Sequence, residues 1–185
     1  MDEFFHRLER KNGALPYLFV FGAALCLMLC VMIPFVALDG GTFIYIGDYN
    51  SQQIPFYIEA NEAIRSGELG WNHNTDLGAS FIGSYAFYLL GSPFFLLTLL
   101  LPMEWVAPAM PFLLCLKTAT AAATAYGFLK RFLKKRSSAF LGSLLYAFSG
   151  FAFYNIFFNH FHEIIAFFPL MLTGLEKRMQ ENKRG

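Results

Sequence analysis

The sequence is poor in charge and has almost no tryptophan. Only 15% of its 185 residues are charged and 2 are tryptophan, whereas 56% belong to the hydrophobic set and 23 are phenylalanine. This composition excludes a disordered tail and is atypical of a soluble domain. A chain of this length is too short to bury so much apolar aromatic surface in a core of its own. The composition therefore predicts a protein that lies in a lipid bilayer.

The sequence also lacks the patterns of several functional classes. Its three cysteines, Cys26, Cys30 and Cys115, lie in apolar runs without metal-ligand spacing, and we interpret them as small hydrophobic residues. A formal net charge of +1 gives no reason to expect nucleic acid as a partner. No phosphate-binding loop, dinucleotide fingerprint, hydrolase elbow or HExxH motif occurs. Soluble-enzyme functions thereby lose most of their support.

Residues 15–38 form an almost uncharged apolar run behind a short N-terminal segment, 1–14, that carries Arg7, Arg10 and Lys11. A helix of this length reaches about 36 Å and clears a hydrocarbon core of about 30 Å. A cleaved signal peptide is the alternative. Its apolar core would be only about 7 to 15 residues long, and no small-residue cleavage site ends the run. We predict an uncleaved transmembrane helix with a cytoplasmic N-terminus.

Residues 39–105 are predicted to form an external loop with interfacial helices. Up to Ser84 this segment has six acidic residues and one basic residue, Arg65, and the positive-inside rule places such a segment outside. Pro55 and Gly67 stand at the start and stop positions of a short helix that would lie on the membrane surface.

The apolar run at 85–101 is the weakest candidate for a membrane span. It reaches only about 26 Å, and Gly91-Ser92-Pro93 interrupts it. If it crossed the membrane together with 106–129, the basic cluster 130–136 would emerge outside, against the positive-inside rule. We therefore predict that 85–101 is juxtamembrane or re-entrant, and a full crossing is the alternative.

The fold class predicted for the chain is all-α integral membrane, with about four transmembrane helices in a multi-pass protein of the cell membrane. The remaining segments are a transmembrane helix at 106–129, a basic cytoplasmic loop at 130–137, a transmembrane hairpin at 138–176 and a cytoplasmic end at 177–185, which we expect to be truncated. Ala119, Ala123 and Gly127 predict a small-residue seam for helix packing in the second of these spans.

The first candidate site lies in the external segment, where Asp48 is flanked by amides and aromatic residues. Amides bind sugar hydroxyls, aromatic faces pack on sugar rings, and a carboxylate can act as a general base. The candidate substrate-binding residues are Gln52, Gln53, Trp71, Asn72, Tyr88 and, in the span 106–129, Lys117. The alternative is that Asp48 is an ordinary turn residue in a solvated loop.

Two further groups of polar residues lie in or near the apolar runs. His160 and Glu163 are predicted on the same side as Asp48, where the three could hold a divalent metal cation, although polar residues at a helix turn are the alternative. Lys117 stands in the middle of the span 106–129, where a bare cation costs about 2.5 to 3.5 kcal/mol. We expect it to contact a lipid phosphate, and the alternative is a lysine that snorkels or serves in helix packing.

A succession of short motifs lies between the first span and the lysine-bearing second span. It runs through Gly47-Asp48, Gln52-Gln53-x-Pro55-Phe56, Ile64-Arg65-x-Gly67-Glu68, Trp71-Asn72, Gly78, Tyr88 and Ser92-Pro93-Phe94, and Asn159-His160 and Pro169-Leu170 follow in the hairpin. This order resembles the N-terminal part of the YfhO family of bacterial membrane proteins.

The resemblance implies a GT-C-like fold, the class of multi-pass glycosyltransferases that use a polyprenyl-phosphate sugar on the outer face of the membrane. It implies that Asp48 is the first-loop acidic residue of that class and acts as a base or metal ligand. The partners would be the lipid bilayer, an envelope-polymer acceptor of the lipoteichoic acid type and the remainder of a larger membrane protein, so the fragment alone is expected to be inactive. The alternatives are a transporter or flippase-like fragment in which Lys117 lines the path, and a scaffold without catalysis.

Overall fold

The structure, a computed structural model, describes residues 1–75 and 77–181, and these are mostly helical. Asp76 lies outside the described residues, as do Lys183 and Arg184 of the predicted cytoplasmic end. The helices are α1 (Asp2–Lys11), α2 (Leu15–Leu38), α3 (Ile54–Ser66), α4 (Phe81–Tyr85), α5 (Pro93–Thr98), α6 (Val106–Leu129), α7 (Arg136–Ala147), α8 (Gly150–Tyr154) and α9 (Phe161–Glu181). Two π-helical turns, Tyr49–Gln53 and Ala86–Leu90, and a 3-10 turn, Met103–Trp105, lie between them.

One feature departs from the predicted all-α class. Two short strands, β1 (Trp71–Asn72) and β2 (Ala79–Ser80), pair antiparallel, with Trp71 opposite Ser80. This small ladder is confined to two residues a side and leaves the helical character of the chain intact.

Two stretches are long and apolar enough to cross a membrane. They are Leu15–Leu38, with a mean hydropathy of 2.6, and Met103–Leu129, with a mean hydropathy of 1.4. Only 22% of the first apolar window is buried inside the protein, against 61% of the second. Because α2 leaves most of its apolar surface uncovered, lipid is the solvent that suits it. Two of the four predicted spans therefore have helices that are both long enough and apolar enough to cross.

The first arm of the predicted hairpin is broken. The apolar run between 139 and 158 forms α7 and α8 instead of one helix, because the Ser149 side chain accepts a hydrogen bond from the Ala152 N–H and starts a new helix. The 12 residues of α7 reach only about 18 Å. In contrast, the 21 residues of α9 reach about 32 Å. Crossing of the membrane by the broken arm stays a prediction.

The chain divides into two compact units. The first contains Met1–Val31, Cys115–Asn155 and the segment that begins at Phe161. In this unit three contacts join α6, or the residues just after it, to α9. Lys117 Nζ lies 3.0 Å from Glu163 Oε1, and the Thr124 hydroxyl donates to the Ala166 carbonyl at 2.7 Å. Further along, Arg131 Nε donates to Glu176 Oε2 at 2.8 Å. Because the partners follow the same order along both helices, α6 and α9 run in the same direction. The intervening α7 and α8 form the return path.

Charged groups of α1 and of the basic cluster meet within the same unit. Glu9 accepts a hydrogen bond from Arg136 Nε at 3.1 Å, and its carboxylate lies 3.7 Å from Lys130 Nζ. The Ser137 N–H donates to the Asp2 carboxylate at 3.1 Å, and this bond is the main reason that the pKa of Asp2 lies below its usual value. The N-terminal helix and the basic cluster therefore lie at the same end of the first unit.

The second unit contains Met32–Leu114 and Ile156–His160, so most of the predicted external loop is a folded body. Its helix α3 has the predicted boundaries: Pro55 stands in the first turn, and Gly67 ends the helix with a φ of 79°. Arg65, the basic residue of this segment, donates to carbonyl groups at the end of α5, including those of Thr98 and Leu101. These bonds tie α3 to α5 and satisfy carbonyls that a helix end leaves open.

The run at 85–101 is interrupted where the sequence predicts. Gly91 forms a turn, and the Ser92 side chain accepts a hydrogen bond from the Phe95 N–H at 3.0 Å to start α5. The longest apolar helical piece here, Phe81–Leu90, reaches about 15 Å. This piece is too short to cross a bilayer core by itself.

Cysteine accessibility tests the predicted orientation. In a chain whose three native cysteines are replaced by alanine, we expect Ser51→Cys to react with a membrane-impermeant maleimide on intact cells. Ser138→Cys should react only after permeabilisation, because it adjoins the basic cluster, which the positive-inside rule places in the cytoplasm. Labelling of both cysteines on intact cells would contradict this topology and favour a full crossing at 85–101.

Candidate functional site

Asp48 lies at a sharp corner of the second unit. Gly47 before it has a φ of 73°, and a Cβ at this position would overlap the ring of Phe157, so only glycine fits. The Ser51 hydroxyl donates to the Gly47 carbonyl at 3.0 Å and closes the corner. The Asp48 side chain is half-buried and forms no hydrogen bond or ion pair with the residues that the structure describes.

Neighbouring side chains perform the turn role that was the alternative for Asp48. Asp39 Oδ2 accepts from the Ile44 N–H at 3.0 Å, and Asn50 Oδ1 accepts from the Tyr45 N–H at 3.1 Å. These are the local side chain to backbone bonds by which Asp and Asn stabilise turns. The Asp48 carboxylate makes no such bond to a described residue, and its role in catalysis stays a prediction.

A cavity of about 370 Å³ opens in the second unit, within the usual range for small-ligand sites. It is lined by Pro55, Phe56, Glu59, Asn74, Thr75, Ser84, Tyr85 and Tyr88. We call it the Glu59 pocket. Its lining combines one carboxylate with amide, hydroxyl and aromatic groups.

Asn72 organises the polar side of the Glu59 pocket. It is 3% exposed, and its Nδ2 donates to Glu59 Oε1 at 2.7 Å. Its Oδ1 accepts from the backbone N–H groups of Asn74 and Thr75 at 2.7 and 3.1 Å. The Thr75 hydroxyl in turn bonds the Tyr85 hydroxyl at 2.7 Å. One buried amide therefore positions both the carboxylate on α3 and the loop that follows β1.

Aromatic contacts fix the opposite side of the pocket. The Phe56 ring packs edge to face against Tyr85 and Tyr88, with centroids 5.1 and 5.0 Å apart. Tyr88 also packs edge to face against His160 at 5.0 Å. Aromatic pairs prefer this arrangement, and the contacts leave the rings little freedom to turn.

The predicted substrate-binding residues of the second unit fall into two groups. Tyr88 lines the pocket and Asn72 supports it from behind. In contrast, Gln52, Gln53 and Trp71 are not among its lining residues. The Gln53 amide is buried and donates to Gln52 Oε1 at 3.1 Å, and Trp71 is 61% exposed.

Glu59 is the charged pocket residue that sequence reasoning did not identify. In the sequence, Glu59 is one of six acidic residues that indicate an external segment. A usable signal was its position one helical turn after Phe56, because residues three apart share a helix face. What brings the Asn72 amide to it is the folding of the loop, which no local pattern specifies.

Lys117 and Glu163 form an ion pair in the first unit. The lysine side chain is fully buried and the glutamate side chain is 17% exposed, with 3.0 Å between Nζ and Oε1. A buried cation needs such a partner, because desolvation of an unpaired charge costs several kcal/mol. This ion pair is a contact between packed helices, and binding of a lipid phosphate by Lys117 stays a prediction.

The residues predicted to hold a metal occupy different surroundings. His160 packs among aromatic rings of the second unit, and Glu163 pairs with Lys117 in the first. Within residues 1–75 and 77–181, no group of three His, Cys, Asp or Glu side chains is placed to hold a metal ion. Asp48 lies on the Gly47 corner and is not part of such a group.

Two helical stretches of the described chain are long and apolar enough to cross a membrane, and the first of them is largely uncovered, as is common in helical membrane proteins. The sequence agrees with this class. Residues 20–185 match the family described as bacterial membrane protein YfhO, and the chain belongs to that family, as the motif order predicted. No curated protein and no solved structure matches the chain.

The ion pair gives a test of stability. Lys117→Met leaves the Glu163 carboxylate without its cation, and we expect a loss of about 3 kcal/mol in unfolding free energy. The double variant Lys117→Met/Glu163→Gln should lose clearly less, because neither charge then remains buried. Thermal unfolding in detergent measures both, with the exposed Lys134→Met as control. A double variant as unstable as the sum of its single variants would argue against a coupled pair.

Proposed function

We propose that this chain contains the part of a membrane glycosyltransferase that binds and transfers the sugar. The enzyme transfers a sugar from a polyprenyl-phosphate carrier to a cell-envelope polymer of the lipoteichoic acid type on the outer face of the membrane. The observation that carries the proposal is the half-buried Asp48 carboxylate, which follows a tightly packed glycine corner and is uncommitted to any described residue. A general base needs a fixed position and a free lone pair.

In this mechanism Asp48 acts on the acceptor. Its carboxylate takes the proton of an acceptor hydroxyl while the hydroxyl oxygen attacks the anomeric carbon of the carried sugar. The bond between that carbon and the phosphate oxygen breaks, and polyprenyl phosphate leaves with the electron pair. A positioned base contributes typically 10² to 10⁴ in rate.

The Glu59 pocket supports sugar recognition. Glu59 and Asn74 offer an acceptor and a donor to ring hydroxyls, and Phe56 and Tyr88 offer apolar surface to the C–H face of a sugar ring. The buried Asn72 amide holds Glu59 in place, so the carboxylate can bind a hydroxyl without a large loss of side-chain entropy.

The proposed topology has four crossings, with the N-terminus, the basic cluster and the end of α9 in the cytoplasm. The parallel course of α6 and α9 supports it, because two helices that run in the same direction need a return passage between them. The meeting of α1 with the basic cluster supports it as well, since both then face the same side.

Asp48→Asn tests the catalytic role. It preserves the size of the side chain and removes the charge, so we expect glycosylation of the envelope polymer to fall 10² to 10⁴-fold at normal protein abundance. The measurement compares cells whose only copy carries Asp48→Asn with cells that carry Glu62→Gln, an exposed acidic residue of α3. Wild-type glycosylation in the Asp48 variant would end the assignment.

Glu59→Gln tests the pocket separately. We expect saturation transfer in NMR from the purified chain in nanodiscs to methyl glucopyranoside, and we expect Glu59→Gln to weaken this binding about tenfold, because a hydrogen bond to a charged group is lost. Glu62→Gln is the matched control on the same helix. Equal binding by both variants would remove Glu59 from the site without affecting the role of Asp48.

A further inference from the structure

A second cavity, of about 260 Å³, lies in the first unit beside the ends of α6 and α9 and the start of α2. Three basic residues line it: Lys130, Arg131 and Lys177. No acidic residue is among the described residues of its lining. We call it the basic cavity, and nothing in the proposed sugar transfer uses it.

Small residues of α6 make room for this cavity. Ala123 and Gly127, which the sequence analysis placed in a helix-packing seam, line the cavity together with Tyr17. A Cβ on Gly127 would stand 3.0 Å from the Tyr17 ring. The fully buried side of α6 includes Ala119 and Ala122 instead. Ala123 and Gly127, the last two residues of the predicted seam, therefore line a cavity and are not fully buried in a helix contact.

Two of the basic groups pair with carboxylates that lie outside the lining of the cavity. Arg131 Nε donates to Glu176 at 2.8 Å, and Lys130 Nζ lies 3.7 Å from Glu9 and 4.5 Å above the centre of the Tyr17 ring. Neither carboxylate is a lining residue. Arg131 and Lys130 are thus each anchored on one side and keep further N–H groups for a ligand, since guanidinium has five donors and ammonium has three.

The hydroxyl groups of the lining are less available as donors. Thr124 donates to the Ala166 carbonyl at 2.7 Å, and Thr173 donates to the Pro169 carbonyl at 2.8 Å. The donors that remain are the three basic side chains and the Tyr17 hydroxyl. A cluster of cationic donors without a lining carboxylate suits an anion with several acceptor oxygens, and phosphate is such an anion.

The size of the cavity and its apolar surroundings favour a lipid headgroup as the source of the phosphate. A volume of about 260 Å³ lies below the roughly 300 to 1,000 Å³ of sites that enclose a drug-sized ligand, so the cavity can hold a headgroup but not a lipid. Leu170 of the lining is 52% exposed, and Met171 beside it is 59% exposed. Acyl chains can pack along this apolar surface of α9 while a headgroup occupies the cavity.

We propose that the basic cavity binds the phosphate of an anionic phospholipid headgroup. Basic pockets between membrane helices on the cytoplasmic side are suited to such headgroups, because the inner leaflet is rich in anionic lipid. Binding would hold the C-terminal ends of α6 and α9 together, and it would stabilise the first unit.

The test uses the purified chain in nanodiscs of phosphatidylcholine, with and without phosphatidylglycerol. We expect phosphatidylglycerol to raise the Tm of the wild type. Lys177→Gln should lower the apparent affinity for phosphatidylglycerol about tenfold, because it removes one charged donor. Arg178→Gln is the matched control: it removes the same charge from the next residue of α9, which points about 100° away and does not line the cavity.

A second pair of variants repeats the comparison on the other helix. Lys130→Gln changes a lining residue of the cavity. Lys134→Gln is its control, because Lys134 lies in the same basic cluster and does not line the cavity. Because Lys130 also pairs with Glu9, the readout is the Tm difference between the two lipid compositions for each variant, in which any change in basal stability cancels. We expect this difference to shrink in Lys130→Gln and to persist in Lys134→Gln.

Three outcomes would overturn the proposal. The first is no effect of phosphatidylglycerol on the wild type. The second is an equal loss in the cavity variants and their controls, which would indicate general attraction of a basic surface to an anionic membrane. The third is a Tm rise of the same size with inorganic phosphate in pure phosphatidylcholine nanodiscs, which would make free phosphate the ligand. All three are independent of sugar transfer and therefore of Asp48.

Discussion

The first unit depends on a single electrostatic constraint, the burial of the Lys117 ammonium within an apolar helix. Its charge is tolerable only with an opposite charge at hydrogen-bonding distance, and Glu163 supplies that charge from the first turn of α9. This requirement fixes which helix lies beside α6 and at which level. The Thr124 to Ala166 bond then follows two turns further along α6, and both helices continue in the same direction.

The parallel arrangement of α6 and α9 decides the rest of this unit. The chain has to return between them, and it does so through α7 and α8, with a break where Ser149 starts a new helix. The basic end of α6 comes to lie beside the charged end of α9, where Arg131 bonds Glu176. The same geometry creates the basic cavity, since anchored cations meet there beside the small residue Gly127.

The second unit uses polar side chains in another way, because its polar groups position one another. Asn72 and Arg65 are committed to internal hydrogen bonds, and they hold Glu59 and the end of α5 respectively. Asp48 is different, since its carboxylate serves no described residue. Glu59 is held by an amide, whereas Asp48 has no bond to a described residue. This difference suits the roles that we propose, in which Glu59 binds a sugar and Asp48 accepts a proton.

The sequence by itself determined the features that depend on local chemistry. Apolar run length determined α2 and α6, Pro55 and Gly67 determined the ends of α3, and the order of short motifs determined the family. Only the tertiary structure decided which residues meet. Glu59 gained importance because a folded loop brings Asn72 to it, and Lys117 found Glu163 across 46 positions of sequence. Contacts between distant residues depend on the packing of whole elements, and residue spacing along the chain carries no record of that packing.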